Sequence, residues 1–158
     1  MLPDEFRVIS FNGGSVALPK GWSGKKGGDG QQFLASAPDG LLQATLSVYF
    51  FSEGATEDDD KLVFDRFLEL RLQADRGAAR EITISTPTFF RTEEGTMIST
   101  FEGKESTVRR FAAKLAMLGG TLVVVYLEAV GQGKETIDEF AQKIFGSISL
   151  NLRNSIAK

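Results

Sequence analysis

The sequence contains no cysteine and no histidine among its 158 residues. The lack of cysteine excludes disulfide bonds, thiolate nucleophiles and sulfur-ligated metal sites. The lack of histidine removes the side chain best suited to proton transfer near neutral pH and the commonest metal ligand. A serine–histidine–aspartate triad is therefore impossible, and catalysis becomes the less favoured class of function. We expect no catalytic residue, no cofactor and no bound metal.

An excess of positive charge is also lacking, since 18 lysines and arginines face 21 acidic residues. Nucleic-acid-binding domains usually carry a basic footprint, so no nucleic-acid partner is expected. No run of about 18 apolar residues could span a bilayer. The N-terminus shows no basic segment followed by an apolar core, so a cytoplasmic location is predicted if Met1 is the native start, and export otherwise.

Residues 18–30 read LPKGWSGKKGGDG, which raises the question of a phosphate-binding loop. None of the three Gly-Lys pairs in the chain is followed by the serine or threonine that a P-loop requires, so we interpret the segment as a mobile connection between strands. Ser23 and Lys26 have the Ser-x-x-Lys spacing of penicillin-recognising enzymes, but the accompanying motifs are absent. The acidic run at 57–60 lacks calcium-loop spacing and is typical of a helix start.

Apolar and polar residues alternate over 42–50, which predicts a strand with one buried face. Asn12-Gly13-Gly14 predicts a tight turn between two short strands, and 81–130 reads as a meander of strands. Its last strand is apolar almost throughout 122–127, so both of its faces should be covered.

Two helices are predicted. The first begins with Thr56 as N-cap and ends at Gly77, and the second has capping-box spacing between Thr136 and Glu139. Phe67→Ala should cost about 3–5 kcal/mol, because Phe67 is expected in the core. The apolar stripe of the first helix comprises Val63, Phe64, Phe67, Leu68, Leu70 and Ala74.

These elements predict one α+β domain over residues 1–150, followed by a polar C-terminal tail at 151–158. Its architecture is a largely antiparallel sheet of about six to eight strands with two main helices packed against it.

Aromatic and basic residues suggest a protein-binding surface, although each aromatic side chain also has a structural interpretation. Trp22 can instead close the edge of the core, and Tyr49 and Phe51 can contact a covering helix. Phe89 and Phe90 should place one ring on each side of the sheet. The candidate surface comprises Trp22, Lys20, Lys25, Lys26, Tyr49 and Phe51.

The sequence contains VALPKGW at 16–22, SAPDG at 36–40 before an alternating strand, and FGSIS at 145–149 at the end of the closing helix. These three short motifs resemble the PsbP-like superfamily, and the missing signal sequence is similar to its DcrB-like bacterial branch. The resemblance implies a PsbP/DcrB-like sandwich and a mainly non-catalytic role, since the family includes photosystem subunits, small-GTPase partners and bacterial adaptors. It adds a homodimer as a candidate assembly.

We therefore expect a non-catalytic bacterial protein-binding module of adaptor or chaperone type, associated with secretion or acting as an immunity protein. The alternative is a small-molecule-binding sensor or a carboxylate-dependent hydrolase with a cleft near residues 20–30. The partner expected under the first hypothesis is another protein.

Overall fold

The computed structural model describes residues 6–11, 14–26, 32–51, 57–77, 81–106 and 108–150. The predicted Asn12-Gly13 turn, the Thr56 cap and the tail at 151–158 lie outside these residues. The strands within them are β1 (Phe6–Phe11), β2 (Gly14–Pro19), β3 (Ser23–Lys26), β4 (Gln32–Ser36), β5 (Leu42–Phe50), β6 (Ile82–Ile84), β7 (Phe90–Arg91), β8 (Met97–Glu105), β9 (Arg109–Leu118), β10 (Thr121–Val130) and β11 (Ser149–Leu150).

Two α-helices accompany these strands in the described part of the chain: α1 spans Glu57–Gly77 and α2 spans Ile137–Gly146. A short 3-10 helix, Gly131–Glu135, leads directly into α2. Neither α-helix combines the length and apolar character that a membrane crossing requires.

The strands form two antiparallel sheets. The large sheet has the order β3-β4-β5-β10-β9-β8-β6, with β7 also paired to β8, and the small sheet has the order β1-β2-β11. The predicted first hairpin is confirmed, because Phe6 pairs with Pro19 and Phe11 with Gly14. The predicted α+β class, with a largely antiparallel sheet of six to eight strands and two helices, is confirmed by the eight-stranded large sheet.

The large sheet is covered on both faces, as the sequence of β10 predicted. The odd-numbered residues of β10, such as Val123 and Leu127, belong to the core shared with α2 and the small sheet. The even-numbered residues of β10, such as Leu122 and Tyr126, belong to the core under α1. We refer to these two surfaces as the α2 face and the α1 face of the large sheet.

The buried side of α1 differs from the predicted stripe. Phe64 is fully buried and Asp75 is 1% exposed, whereas Leu70 is 43% exposed and Ala74 is exposed. The side of α1 that faces the sheet therefore includes Asp75, whose carboxylate accepts a hydrogen bond from the Tyr126 hydroxyl. Hydrophobic periodicity alone could not anticipate a buried carboxylate.

Two further predictions were wrong in detail. Part of the glycine-rich segment, β3, is an edge strand paired with β4 rather than a mobile connection. Thr136 makes no side-chain capping hydrogen bond, because the preceding 3-10 helix already gives its backbone helical angles (φ −107, ψ −5). Glu139 pairs with Lys143 one turn later instead.

Candidate functional site

The aromatic residues of the predicted binding surface lie in the two cores. Trp22 is 6% exposed and its ring lies 5.7 Å from that of Phe140 on the α2 face. Tyr49 and Phe51 lie on the α1 face, with ring centroids 4.8 Å and 5.6 Å from Phe67. The three aromatic side chains therefore pack inside the fold, as their structural interpretation predicted. Trp22 also lies on the opposite face of the sheet from Tyr49 and Phe51.

The predicted lysines are exposed but also divided between faces. Lys25 pairs with Leu34, which pairs with Thr45 on the α1 face, whereas Lys26 pairs with Phe33 on the α2 face. Lys20 lies in the turn before β3. Lysines on an edge strand discourage pairing with another sheet, which gives Lys25 and Lys26 a structural role in addition to the predicted one.

An open groove follows β8 on the α2 face, and none of the predicted surface residues lines it. Its two adjoining parts share Ser85 and Glu102 and have volumes of about 640 Å³ and about 510 Å³. We call it the α2 groove; its lining includes Thr83, Ser85, Thr88, Thr100, Glu102, Lys104, Arg110, Asp138, Gln142 and Phe145.

Two basic residues of β9 hold α2 as one wall of this groove. Arg110 donates hydrogen bonds to the carboxylate of Asp138 (2.8 Å) and to the carbonyl oxygen of Lys134 (2.9 Å). Lys114 donates to the carbonyl oxygen of Phe145 at 2.8 Å, where a cation complements the C-terminal end of the helix. Burial lowers the pKa of Lys114. Both ends of α2 are thereby fixed against the sheet.

The other wall of the α2 groove is formed by the segment that connects β6 and β7. The hydroxyl groups of Thr88 and Thr100 are hydrogen bonded to each other at 2.9 Å, so the segment follows β8 closely. Phe90 pairs with Ile98 on the same face and is 53% exposed. Phe89 instead contacts Phe64 under α1, so the prediction of one ring on each side of the sheet is confirmed.

A second cavity, of about 350 Å³, lies beside α1 on the opposite face of the sheet. We call it the α1 cleft. Residues from two successive turns of α1 form its wall, and residues of β5 and β10 form its floor. Its lining comprises Thr45, Ser47, Tyr49, Phe67, Leu70, Arg71, Ala74, Val124 and Tyr126. Neither cavity is lined by the described residues of the predicted 20–30 cleft.

A polar network lies at one end of the α1 cleft. Arg71 donates from Nη2 and Nε to the two carboxylate oxygens of Asp75, at 2.6 Å and 3.2 Å. The Tyr126 hydroxyl donates to Asp75 (3.1 Å) and accepts from Arg109 (3.0 Å). Arg109 also donates to Glu105 at 2.7 Å. The network connects the last turns of α1 to three strands of the sheet.

Burial keeps Tyr126 neutral. Burial raises the pKa of Tyr126 to about 12, although the hydrogen bond from Arg109 acts in the opposite direction. Burial would lower the pKa of Arg109, but its hydrogen bonds to Glu105 and Tyr126 outweigh this effect and raise it. The Tyr126 hydroxyl is therefore a hydrogen-bond donor to Asp75 throughout the physiological range.

Titration of Tyr126 should follow from this environment. In a Tyr49→Phe variant, Tyr126 is the only tyrosine, and its tyrosinate absorbance should rise near pH 12 in the folded protein. The folded state keeps a proton that the unfolded chain releases near pH 10, so the stabilisation is complete below about pH 10 and is lost as the pH rises through about 12. A midpoint near 10 with an unchanged circular dichroism spectrum would contradict this assignment.

No group of three or more acidic side chains among the described residues is arranged to hold a metal ion. The sequence predicted neither cavity. The α2 groove is lined mostly by threonines, serines and single charged residues, and the α1 cleft mostly by apolar and aromatic residues. Neither set forms a motif in sequence. Of the predicted surface residues, Tyr49 lines the α1 cleft, and Phe90 of the adjacent aromatic pair lies on the same face of the sheet as the α2 groove.

No family model matches the sequence, and no curated protein matches it either. Among solved structures, the chain is similar to the solution structure of cyanobacterial PsbP (CyanoP) from Synechocystis sp. PCC 6803, with a TM-score of 0.70 and 15% identity over 94% of both chains. A crystal structure from Bacteroides thetaiotaomicron VPI-5482 has a TM-score of 0.47 and 14% identity, covering 87% of this chain and 45% of the other. The similarity to CyanoP over nearly the whole length shows that the chain has the PsbP-like fold.

Proposed function

We propose that the protein is a non-catalytic protein-binding module of adaptor or chaperone type, of the DcrB-like bacterial branch, and that it holds an extended segment of a partner protein in the α2 groove. The observation that carries this proposal is the half-exposed Phe90 beside Ile98 on the face of the groove. Exposed aromatic residues next to a polar groove are typical of protein-binding surfaces.

The shape of the α2 groove supports an extended ligand. The two adjoining parts follow β8 from Lys104 to Thr100, with Phe90 and Ile98 beyond them on the same face. Both walls are held in place by hydrogen bonds, so little ordering would be needed on binding. A peptide lying along β8 would meet hydrophobic contacts at one end and polar contacts along the rest.

The charges of the groove favour a partner segment that carries both positive and negative charges. Glu102 and Lys104 are exposed on the floor, and Arg110 is already paired with Asp138. A balanced set of charges gives specificity more than affinity, and it disfavours a uniformly charged polymer such as nucleic acid. A polypeptide segment is the ligand class that combines apolar, basic and acidic groups.

Site-specific photocrosslinking in the native host tests the proposal. A photoreactive residue at position 90 should give a discrete adduct with one protein, because Phe90 would lie at the interface. Position 8 is the matched control, since Val8 is 56% exposed but lies on β1 of the small sheet. Mass spectrometry of the adduct identifies the partner and the contacted segment.

Equal crosslinking from positions 90 and 8, or no adduct from position 90 under several growth conditions, would contradict binding in the α2 groove. An adduct between two copies of this chain would show that the occupant of the groove is a second copy of the chain, in a homodimer, and not a different protein. A Glu102→Lys substitution should weaken the specific adduct at position 90, because it reverses one charge on the floor of the groove.

A further inference from the structure

The α1 cleft has a single formal charge. Of its nine lining residues only Arg71 is charged, and the remaining polar groups are hydroxyls. No carboxylate lines the cleft, and Asp75, behind Arg71, is 1% exposed. A cavity with one cation and no lining anion favours a ligand that carries a negative group.

Asp75 orients Arg71 but accepts hydrogen bonds from only part of its guanidinium group. Its Nε and Nη2 atoms donate to the carboxylate, and no described residue accepts a hydrogen bond from Nη1. The guanidinium group also lies over the Tyr126 ring, with 4.4 Å between its central carbon and the ring centroid. The orientation of Arg71 is thus fixed before a ligand arrives, which lowers the entropy lost on binding.

The other lining groups would suit an apolar body with one polar end. Tyr49, Phe67 and Val124 provide apolar surface, and Phe67 is itself held by Tyr49 and Phe51. The hydroxyl groups of Thr45 and Ser47, on the floor, form no hydrogen bond with a described residue. They are neutral groups that can donate to an acceptor on a ligand.

We propose that the α1 cleft binds a small organic acid, namely an aromatic or branched aliphatic body that carries one carboxylate. The carboxylate accepts hydrogen bonds from Arg71 Nη1 and from a floor hydroxyl, and the body packs on Phe67 and Val124. The volume of about 350 Å³ lies near the lower end of the range of ligand pockets, which limits the ligand to a compact molecule. This site lies on the opposite face of the sheet from the α2 groove, so it can be tested independently of protein binding.

Nuclear magnetic resonance titration of the full chain with phenylacetate tests the proposal, with phenylacetamide as the neutral analogue. Phenylacetate should shift the amide resonances of Thr45, Ser47 and Tyr126 with a saturable curve. Phenylacetamide should bind about tenfold more weakly, because it lacks the charge-assisted hydrogen bond to Arg71. Equal affinity for the acid and the amide, or no saturable shift at these residues, would overturn the proposal.

A blocking variant separates binding in the cleft from binding elsewhere. Ala74 lines the cleft and is exposed, so Ala74→Phe should fill the cavity without disturbing the core and should abolish phenylacetate binding. Gln73→Phe is the matched control, since Gln73 is exposed on the same helix turn but does not line the cleft. Unchanged phenylacetate binding in a folded Ala74→Phe variant would also overturn the proposal.

Discussion

Replacing Phe64 by alanine should lower the free energy of unfolding by about 3–5 kcal/mol. Phe64 is fully buried in the core under α1, and its ring contacts Phe89 edge-on at 5.8 Å. The substitution removes the transfer free energy of the ring and leaves a cavity that α1, which is hydrogen bonded to the sheet through Asp75, can close only in part. Denaturation by urea, followed by the fluorescence of the buried Trp22, measures the loss.

Two substitutions on the same helix serve as comparisons. Phe67 is only partly buried, so Phe67→Ala should cost about 2 kcal/mol, less than the sequence predicted for it. Leu62 is 70% exposed, and Leu62→Ala should change the stability by about 0.5 kcal/mol or less. A loss at position 67 as large as that at position 64 would mean that α1 lies in a different orientation on the sheet.

The sequence predicted the strands well where apolar and polar residues alternated without interruption. Alternation over β5 correctly assigned Leu42, Leu46 and Val48 to one buried face. The aromatic residues on its polar phase were ambiguous, because Tyr49 and Phe51 can be exposed or covered by a helix. Only the docking of α1 decides between these outcomes, and docking depends on contacts that periodicity does not encode.

Gly103 shows that glycine does not always mark a turn. Glycine commonly ends a strand, but β8 continues through Gly103 to Glu105. Gly103 pairs with Phe111, and a Cβ atom at Gly103 would overlap the Phe111 ring. The glycine is therefore required by the ring packed across the neighbouring strand, a contact that is visible only when the strand register is known.

The sites were unpredictable for the same reason. Tyr126 and Asp75 are 51 residues apart in sequence, and the α2 groove combines residues from β8, β9 and α2. A single sequence contains the period of each element but not the pairing between distant elements. The network residues also have the composition of ordinary surface positions, since arginine and aspartate are usually exposed.

Replacing Asp75 by alanine should be the most destabilising change of a charged residue, with a loss of about 2–4 kcal/mol. The change removes the acceptor of both Arg71 and Tyr126, so a guanidinium group and a hydroxyl lose their buried partner. The loss should fall somewhat below that of a fully buried pair, because the Arg71 side chain is 34% exposed and can be partly hydrated. Urea denaturation again provides the measurement.

The same helix contains a matched control for this prediction. Lys61 and Asp65 have the same four-residue spacing and the same 2.6 Å separation as Arg71 and Asp75, but their side chains are 36% and 50% exposed. Asp65→Ala should therefore cost about 0.5 kcal/mol or less, since water replaces the lost partner. A double variant, Arg71→Met with Asp75→Leu, should be more stable than Asp75→Ala alone, because it leaves no unpaired charge. If the two aspartates prove equally sensitive, burial does not determine the strength of the Arg71–Asp75 pair and the network does not anchor α1.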